Sequence, residues 1–155
     1  MRLTFVVLIA LSLSNGAVAQ ETYRATFYGY TSPSAVQWLP FADGDSLGTI
    51  INQGHMVPST EGFPPVAYSC TDTWYQHAGQ QVGMYSGTCT QVDDDGDWYR
   101  YFFTSPPIVW EGIITCIDGT GKYEGIKCDA TFRGISKYGG SGWFRGEIEG
   151  TMELK

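Results

Sequence analysis

Four aspartates, Asp93, Asp94, Asp95 and Asp97, form the densest group of chemically active side chains in the 155-residue chain. Clustered carboxylate oxygens suit a hard cation such as Ca²⁺. An EF-hand loop would require glycine at its sixth position and a later glutamate, and neither is present. Asp and Gly are also common residues of hairpin turns. We therefore expect a turn here, with Asp93, Asp95 and Asp97 as a weak candidate metal site.

The remaining residues with catalytic potential form no known constellation. The two histidines, His55 and His77, fall in predicted loops, and they lack the spacing at which metal ligands converge. The sequence supplies no catalytic-triad geometry for Ser69, Ser86 or Ser136 with His77, so a serine hydrolase is disfavoured. We expect no cofactor and no assigned catalytic residue.

Asp72 is the one candidate acid whose environment matters. It shares a face of a predicted strand with Tyr68, Cys70 and Trp74. Inside an apolar barrel its pKa would rise, and the carboxyl could serve as an acid catalyst. At the mouth of a barrel, near His77, it would instead be hydrated. Because an unpaired buried charge is costly, we expect the mouth.

Strands must position these residues, because the chain alternates with period two. The clearest case is the last segment, in which one face carries Phe144, Gly146, Ile148, Gly150, Met152 and Leu154. Similar patterns predict strands over 23–30, 47–52, 65–75, 82–92, 98–103, 108–117 and 127–135. Three prolines and two glycines in 53–65 predict a loop or an edge there.

All four cysteines fall within these predicted strands. An even number of cysteines in an exported chain indicates disulfides. A symmetric turn over 77–81 places Cys70 opposite Cys89, at a separation that suits a cross-strand disulfide. A second hairpin places Cys116 opposite Cys128. We therefore predict two hairpin disulfides, Cys70–Cys89 and Cys116–Cys128.

About eight strands joined by sequential hairpins predict an all-β fold, a single up-and-down antiparallel barrel. Closing the sheet removes its unpaired edges. A barrel of this size can be filled by side chains or can hold one small ligand, and the sequence leaves both open. The candidate ligand-binding residues are the inward aromatic side chains Tyr68, Trp74, Tyr85, Tyr99, Tyr101, Trp110 and Phe132.

The C-terminal half carries a family resemblance. The run GTGKYEGI at 119–126, the strand over 128–132 and the closing GEIEG at 146–150 resemble the signature of allene-oxide-cyclase-like barrels. The GTC strand at 87–89, leading into DGD at 95–97, is similar as well. The G-T-G-K-Y-x-G run also occurs in dirigent-like relatives. The resemblance covers 82–155 and implies an eight-stranded barrel of the allene-oxide-cyclase or calycin type. It does not imply cyclase activity, and it assigns no pocket residue.

The N-terminus has the features of a secretory leader. A short positive start, an apolar run and the sequence Ala17-Val18-Ala19 predict a signal peptide over 1–19, with a barrel domain over 20–155 and export to the periplasm or the extracellular space. Loss of Arg2 with the leader takes the formal charge from −7 to −8. This acidity disfavours nucleic acid as a partner, and no later segment predicts membrane insertion.

These observations favour a non-catalytic exported protein whose partner is a small apolar or aromatic ligand. An isomerase or cyclase that acts on a lipid-like substrate in the same barrel is the first alternative. It requires a charged or hydroxyl group inside the barrel, such as Asp72 or Tyr101. A structural or interaction module that uses residues 33–65 is the second.

Overall fold

A computed structural model describes residues 22–32, 36–77, 85–106, 110–138 and 142–154. The predicted signal peptide over 1–19 lies outside the described residues, as do positions 78–81 of the predicted turn at 77–81. Within the described ranges, no helix has the length and apolar character needed to cross a membrane.

Nine strands and one short 3₁₀ turn make up the described chain. The strands are β1 Thr22–Thr31, β2 Gln37–Pro40, β3 Ser46–Pro58, β4 Val66–Gln76, β5 Tyr85–Val92, β6 Trp98–Ser105, β7 Glu111–Gly119, β8 Lys127–Tyr138 and β9 Trp143–Glu153. The 3₁₀ turn Gly121–Tyr123 falls within the glycine-rich run between β7 and β8.

The strands form one antiparallel sheet that closes on itself. Each of β3 to β9 pairs with its neighbour in the chain, β9 pairs with β1, and β1 pairs with β3. Eight strands therefore form the closed barrel that the alternation predicts. The short β2 pairs with the first residues of β3, while β1 pairs with the last residues of β3. Strand β2 thus extends the barrel wall along the edge of β3.

The prediction of loop or edge for 53–65 is wrong for its first half, because β3 continues to Pro58. Met56 pairs with Phe27 of β1 on one side and with Val66 of β4 on the other. The prolines did not prevent this, because Pro58 stands at the end of the strand. Gly54 is required here, since a Cβ atom would lie 1.9 Å from the carbonyl oxygen of Tyr28.

One end of the barrel is closed by what we call the aromatic plug, formed by Tyr23, Met56, Tyr99, Tyr123 and Ile126. All five are buried. The rings of Tyr99 and Tyr123 are 4.8 Å apart, and the Tyr23 hydroxyl donates to the Met56 sulfur over 3.0 Å. Aromatic pairs at this separation contribute beyond the area that they bury.

Both predicted disulfides are confirmed. Cys70 bonds to Cys89 across β4 and β5, and Cys116 bonds to Cys128 across β7 and β8. On its other side, Cys89 pairs with Tyr101 of β6. Disulfides persist in oxidising compartments, so the pair indicates an exported environment.

Removing the first disulfide should destabilise the barrel. We expect Cys70→Ala/Cys89→Ala to lower the free energy of unfolding in urea by about 3 kcal/mol, because the unfolded chain regains the entropy of the closed loop. Thr71→Ala/Thr88→Ala is the matched control, since these residues are the next cross-strand pair and lie on the outer face. Equal effects of the two double variants would contradict the prediction.

Candidate functional site

A cavity of about 530 Å³ occupies the half of the barrel opposite the aromatic plug. It reaches the surface beside Trp38 and Trp143, whose side chains are 47% and 55% exposed. The interior is therefore filled at one end and hollow at the other. Ligand sites in proteins typically have volumes of about 300–1,000 Å³, so the cavity could hold a small organic molecule.

Six of the seven predicted ligand-binding residues line this cavity: Tyr68, Trp74, Tyr85, Tyr101, Trp110 and Phe132. The seventh, Tyr99, lies in the aromatic plug and does not contact the cavity. Tyr99 points into the barrel from β6, as Tyr101 does. It does not line the cavity because it lies farther along the barrel axis, at the closed end.

Aromatic rings form a continuous row along one wall of the cavity. We call this the aromatic row: Trp38, Trp74, Tyr85, Phe103 and Phe132, from β2, β4, β5, β6 and β8. Successive ring centroids are 5.9, 6.3, 5.3 and 5.7 Å apart. Inward alternation places Trp74, Tyr85 and Phe103 side by side on adjacent strands. Trp38 and Phe132 extend the row across Gly48 of β3 and Gly112 of β7, which carry no side chain.

Asp72 lies within this wall and is fully buried, with 0% exposure. Its Oδ2 atom accepts hydrogen bonds from the Asn52 amide and the Tyr85 hydroxyl. Asn52 Nδ2 also lies 3.1 Å from the Tyr85 oxygen, and Thr31 Oγ1 donates to Asn52 Oδ1. Gly87 makes room for the carboxylate, since a Cβ atom there would lie 2.6 Å from Asp72 Oδ1.

Burial raises the pKa of Asp72 from 3.8 to about 7, although the hydrogen bonds from Tyr85 and Asn52 act in the opposite direction. Asp72 Oδ1 has no hydrogen-bond partner within the described chain. The expectation that Asp72 lies at the mouth, fully hydrated, is therefore wrong. Two donors and partial protonation near neutral pH offset the cost of burying the carboxyl.

Two tyrosine hydroxyls lie near this carboxyl. Burial raises the pKa of Tyr68 and Tyr85 well above 10, and the negative charge of Asp72 adds to the shift. Both phenols are consequently protonated at neutral pH. The Tyr68 hydroxyl lacks a hydrogen-bond partner among the residues that the structure describes. The site thus holds one carboxyl and unused hydrogen-bonding capacity in an apolar wall.

Sequence reasoning missed Thr31, Trp38, Ile50 and Asn52, which also line the cavity. All four lie between the predicted strands over 23–30 and 65–75, where the sequence predicts only one short strand, over 47–52. Alternation could have identified the inward positions of this segment, because Ile50, Asn52, Gly54 and Met56 share the inward face of β3. Asn52 in particular was not recognised as a partner of Asp72.

The acidic cluster forms a turn, as expected. Asp93 Oδ1 accepts from the backbone N–H groups of Asp95 and Asp97, and Gly96 has a φ of 86°. Lys122 Nζ lies 3.0 Å from Asp93 and 2.7 Å from Asp95. Across the described ranges, no three His, Cys, Asp or Glu side chains are placed to hold a metal ion. The weak metal site at Asp93, Asp95 and Asp97 has no structural support.

The histidines are exposed and separate from the cavity. His55 lies on the outer face of β3 rather than in a loop, which corrects its predicted setting. His77 Nδ1 lies 2.7 Å from Asp45. This contact raises the pKa of His77 through a hydrogen bond and the charge of Asp45.

Comparison of the chain with protein-family models, with curated proteins and with solved structures found no match. The fold alone therefore defines the class of this protein, which is a disulfide-bonded, eight-stranded antiparallel barrel with one additional strand.

The buried carboxyl should make stability depend on pH between about 4 and 7. In that range folded Asp72 binds a proton that the unfolded chain has released, so its contribution to stability is lost as pH rises. The free energy of unfolding of Asp72→Asn, relative to that of wild type, should therefore increase by on the order of a few kcal/mol as the pH rises from about 4 to 7. Above about pH 7 the difference should stay constant. Urea denaturation at several pH values measures this difference.

Asp118→Asn is the control for this experiment. A hydrogen bond from Arg100 lowers the pKa of the exposed Asp118 carboxyl below 3.8. Its difference from wild type should therefore change only below about pH 4. If the difference in unfolding free energy between Asp72→Asn and wild type did not change between about pH 4 and 7, the carboxyl of Asp72 would have an ordinary pKa.

Proposed function

We propose that this chain is an exported, non-catalytic β-barrel protein that binds one small apolar or aromatic ligand in its cavity. The observation that carries the proposal is the cavity of about 530 Å³ lined by the aromatic row. Aromatic and aliphatic walls with a few fixed polar groups are typical of ligand pockets. The Asp72, Asn52 and Tyr85 network supplies such groups here.

The pattern of burial supports this proposal. The aromatic plug excludes solvent from one end, and side chains there leave a space of only about 10 Å³. The other end remains open beside Trp38 and Trp143. A filled end stabilises the barrel, so the hollow end can keep its aromatic surface available for a guest without losing the fold.

Export is the second part of the proposal. The two disulfides favour an oxidising compartment. A signal peptide over 1–19, cleaved after Ala19, would deliver the chain there. Mass spectrometry of protein secreted by an expression host should identify Gln20 as the first residue, and an intact Met1 would contradict this part.

A substitution that fills the cavity should weaken ligand binding. Ile50 lines the cavity, whereas its neighbour Ile51 is 44% exposed on the outer face. We expect Ile50→Trp to lower the affinity for the neutral fluorophore N-phenyl-naphthylamine by roughly tenfold or more, because the indole occupies the space of the guest. Fluorescence titration measures the affinity.

Ile51→Trp is the matched control, since it adds the same indole to the same strand on the opposite face. Its affinity for the fluorophore should equal that of wild type. Circular dichroism establishes that both variants are folded. Failure of the wild-type protein to bind the fluorophore, or equal binding by both variants, would contradict a ligand site in the cavity.

An isomerase or cyclase is the second candidate function, and the carboxyl of Asp72 favours it. A group with a pKa of about 7 can donate and accept protons near neutral pH. Tyr101 lies on the same cavity, and its hydroxyl accepts a hydrogen bond from Gln91 Nε2 over 3.1 Å. The mainly apolar wall of the cavity suits a lipid-like substrate.

This candidate requires turnover that depends on both groups. We expect an isomerase to convert members of a panel of unsaturated lipid epoxides, with Asp72→Asn and Tyr101→Phe each lowering the rate by about a hundredfold or more. Chromatography with mass detection measures conversion. Rates equal to those of buffer alone, or unchanged in both variants, would eliminate the enzyme.

A further inference from the structure

We propose that the ligand of this cavity is an organic monocation, an apolar or aromatic body that carries one ammonium group. The inference rests on the proposed ligand-binding function and specifies its chemical class. Three features of the cavity wall carry it: the sign of its charge, the direction of its hydrogen bonds and its aromatic surface.

The first feature is charge. Among the described residues that line the cavity, Asp72 is the one carboxyl, and none is Lys, Arg or His. An anionic ligand would lose its hydration there and find no counter-charge, whereas a cation would find one. The formal charge of −7 for the whole chain attracts cations and repels anions at long range.

The second feature is the direction of the hydrogen bonds. Thr31 donates to Asn52, and both Asn52 and Tyr85 donate to Asp72. These three donors are used within the network around the carboxylate, while the Tyr68 O–H and the Trp74 N–H on the same cavity have no partner in the described chain. The Thr31 and Tyr85 oxygens retain lone pairs that can accept hydrogen bonds. A ligand that donates, such as a protonated amine, matches this arrangement.

The third feature is the aromatic row. Trp74 and Tyr85 flank Asp72, with their centroids 6.3 Å apart, and Trp38 continues the row to the mouth. The faces of Trp and Tyr rings attract organic cations, and the attraction is larger where water is excluded. One carboxylate among aromatic rings is the arrangement by which proteins recognise ammonium groups.

Asp72 acts on the ligand from behind the side chains that cover it. Its surface is fully covered, and Asn52 and Tyr85 lie against its Oδ2 atom. A cation at the Tyr85 oxygen would therefore feel the charge across one layer of polar atoms, in a medium that screens it weakly.

The proton on Asp72 links this binding to pH. The titratable groups that face Asp72 are Tyr68 on its own strand, Tyr85 on β5 and Tyr101 on β6, and burial raises the pKa of each phenol. From β3 the facing group is Asn52, which does not titrate. Only Asp72 therefore changes charge near neutrality, and the cation binds its ionised form. Affinity should rise with pH up to about 7 and then level off.

Calorimetric titration with three matched probes tests the proposal. The probes are phenethylamine, which is cationic, phenethyl alcohol, which is neutral, and phenylacetate, which is anionic. We expect the amine to bind roughly tenfold or more tightly than the alcohol at about pH 8, and phenylacetate to bind most weakly. Below about pH 7, the affinity for the amine should fall by up to about tenfold per pH unit, and that for the alcohol should not change.

Two further measurements identify Asp72 as the source. Asp72→Asn should bind the amine and the alcohol with similar affinity, while Asp118→Asn, which removes an equal charge from the surface, should retain the preference. In the wild-type protein at about pH 6.5, titrations in buffers of different ionisation enthalpy should show that a proton is released when the amine binds, because the cation favours the ionised carboxyl. This measurement requires no variant.

The outcomes separate this inference from the proposed function. If the alcohol or phenylacetate binds as tightly as the amine, the monocation is excluded, while the ligand-binding function stands. The indole N–H of Trp74, which has no hydrogen-bond partner in the described chain, would then point to a neutral acceptor ligand. If none of the three probes binds and the neutral fluorophore does not bind either, the proposed ligand-binding function is contradicted as well.

Discussion

The pairing of β1 with β3 is the interaction on which the rest of the structure depends. Six pairings between successive strands and the pairing of β9 with β1 would leave two unpaired edges. The pairing of residues 25–31 with 52–58 removes them. Closure also fixes the number of strands, and eight strands enclose a space about one layer of side chains wide. Everything that the protein can hold inside follows from that limit.

The two ends of this space differ because of the size and partners of the inward residues. At the closed end, Tyr23, Tyr99 and Tyr123 converge, and their rings fill the width of the barrel. At the open end, inward positions alternate between large rings and small residues such as Gly87 and Ser105. The barrel walls are held by backbone hydrogen bonds and by the disulfides, so the space between the rings does not collapse. Stability and an available cavity thus come from different parts of one sheet.

Asp72 shows how closure changes the chemistry of a residue. On an open sheet the same side chain would be hydrated and would have an ordinary pKa. Pairing with the neighbouring strands places Asn52 of β3 and Tyr85 of β5 on its two sides, and closure surrounds it with rings that exclude water. The carboxyl then holds its proton until about neutral pH. A ligand that carries positive charge would favour loss of that proton, which is why binding, stability and pH are coupled through this one group.

The sequence by itself determined the existence of the eight barrel strands, the inward faces of most of them and the disulfide pairing, because period-two alternation and hairpin register are local properties. It also identified six of the cavity-lining aromatics. Only the tertiary structure decided that Tyr99 belongs to the aromatic plug, that β3 runs through Gly54 to Pro58, and that Asp72 is buried against Asn52. Position along the barrel axis, burial from solvent and the pairing of β3 with β1 all depend on how the sheet closes. Closure is set by the summed pairing of all eight strands, so no local pattern specifies it.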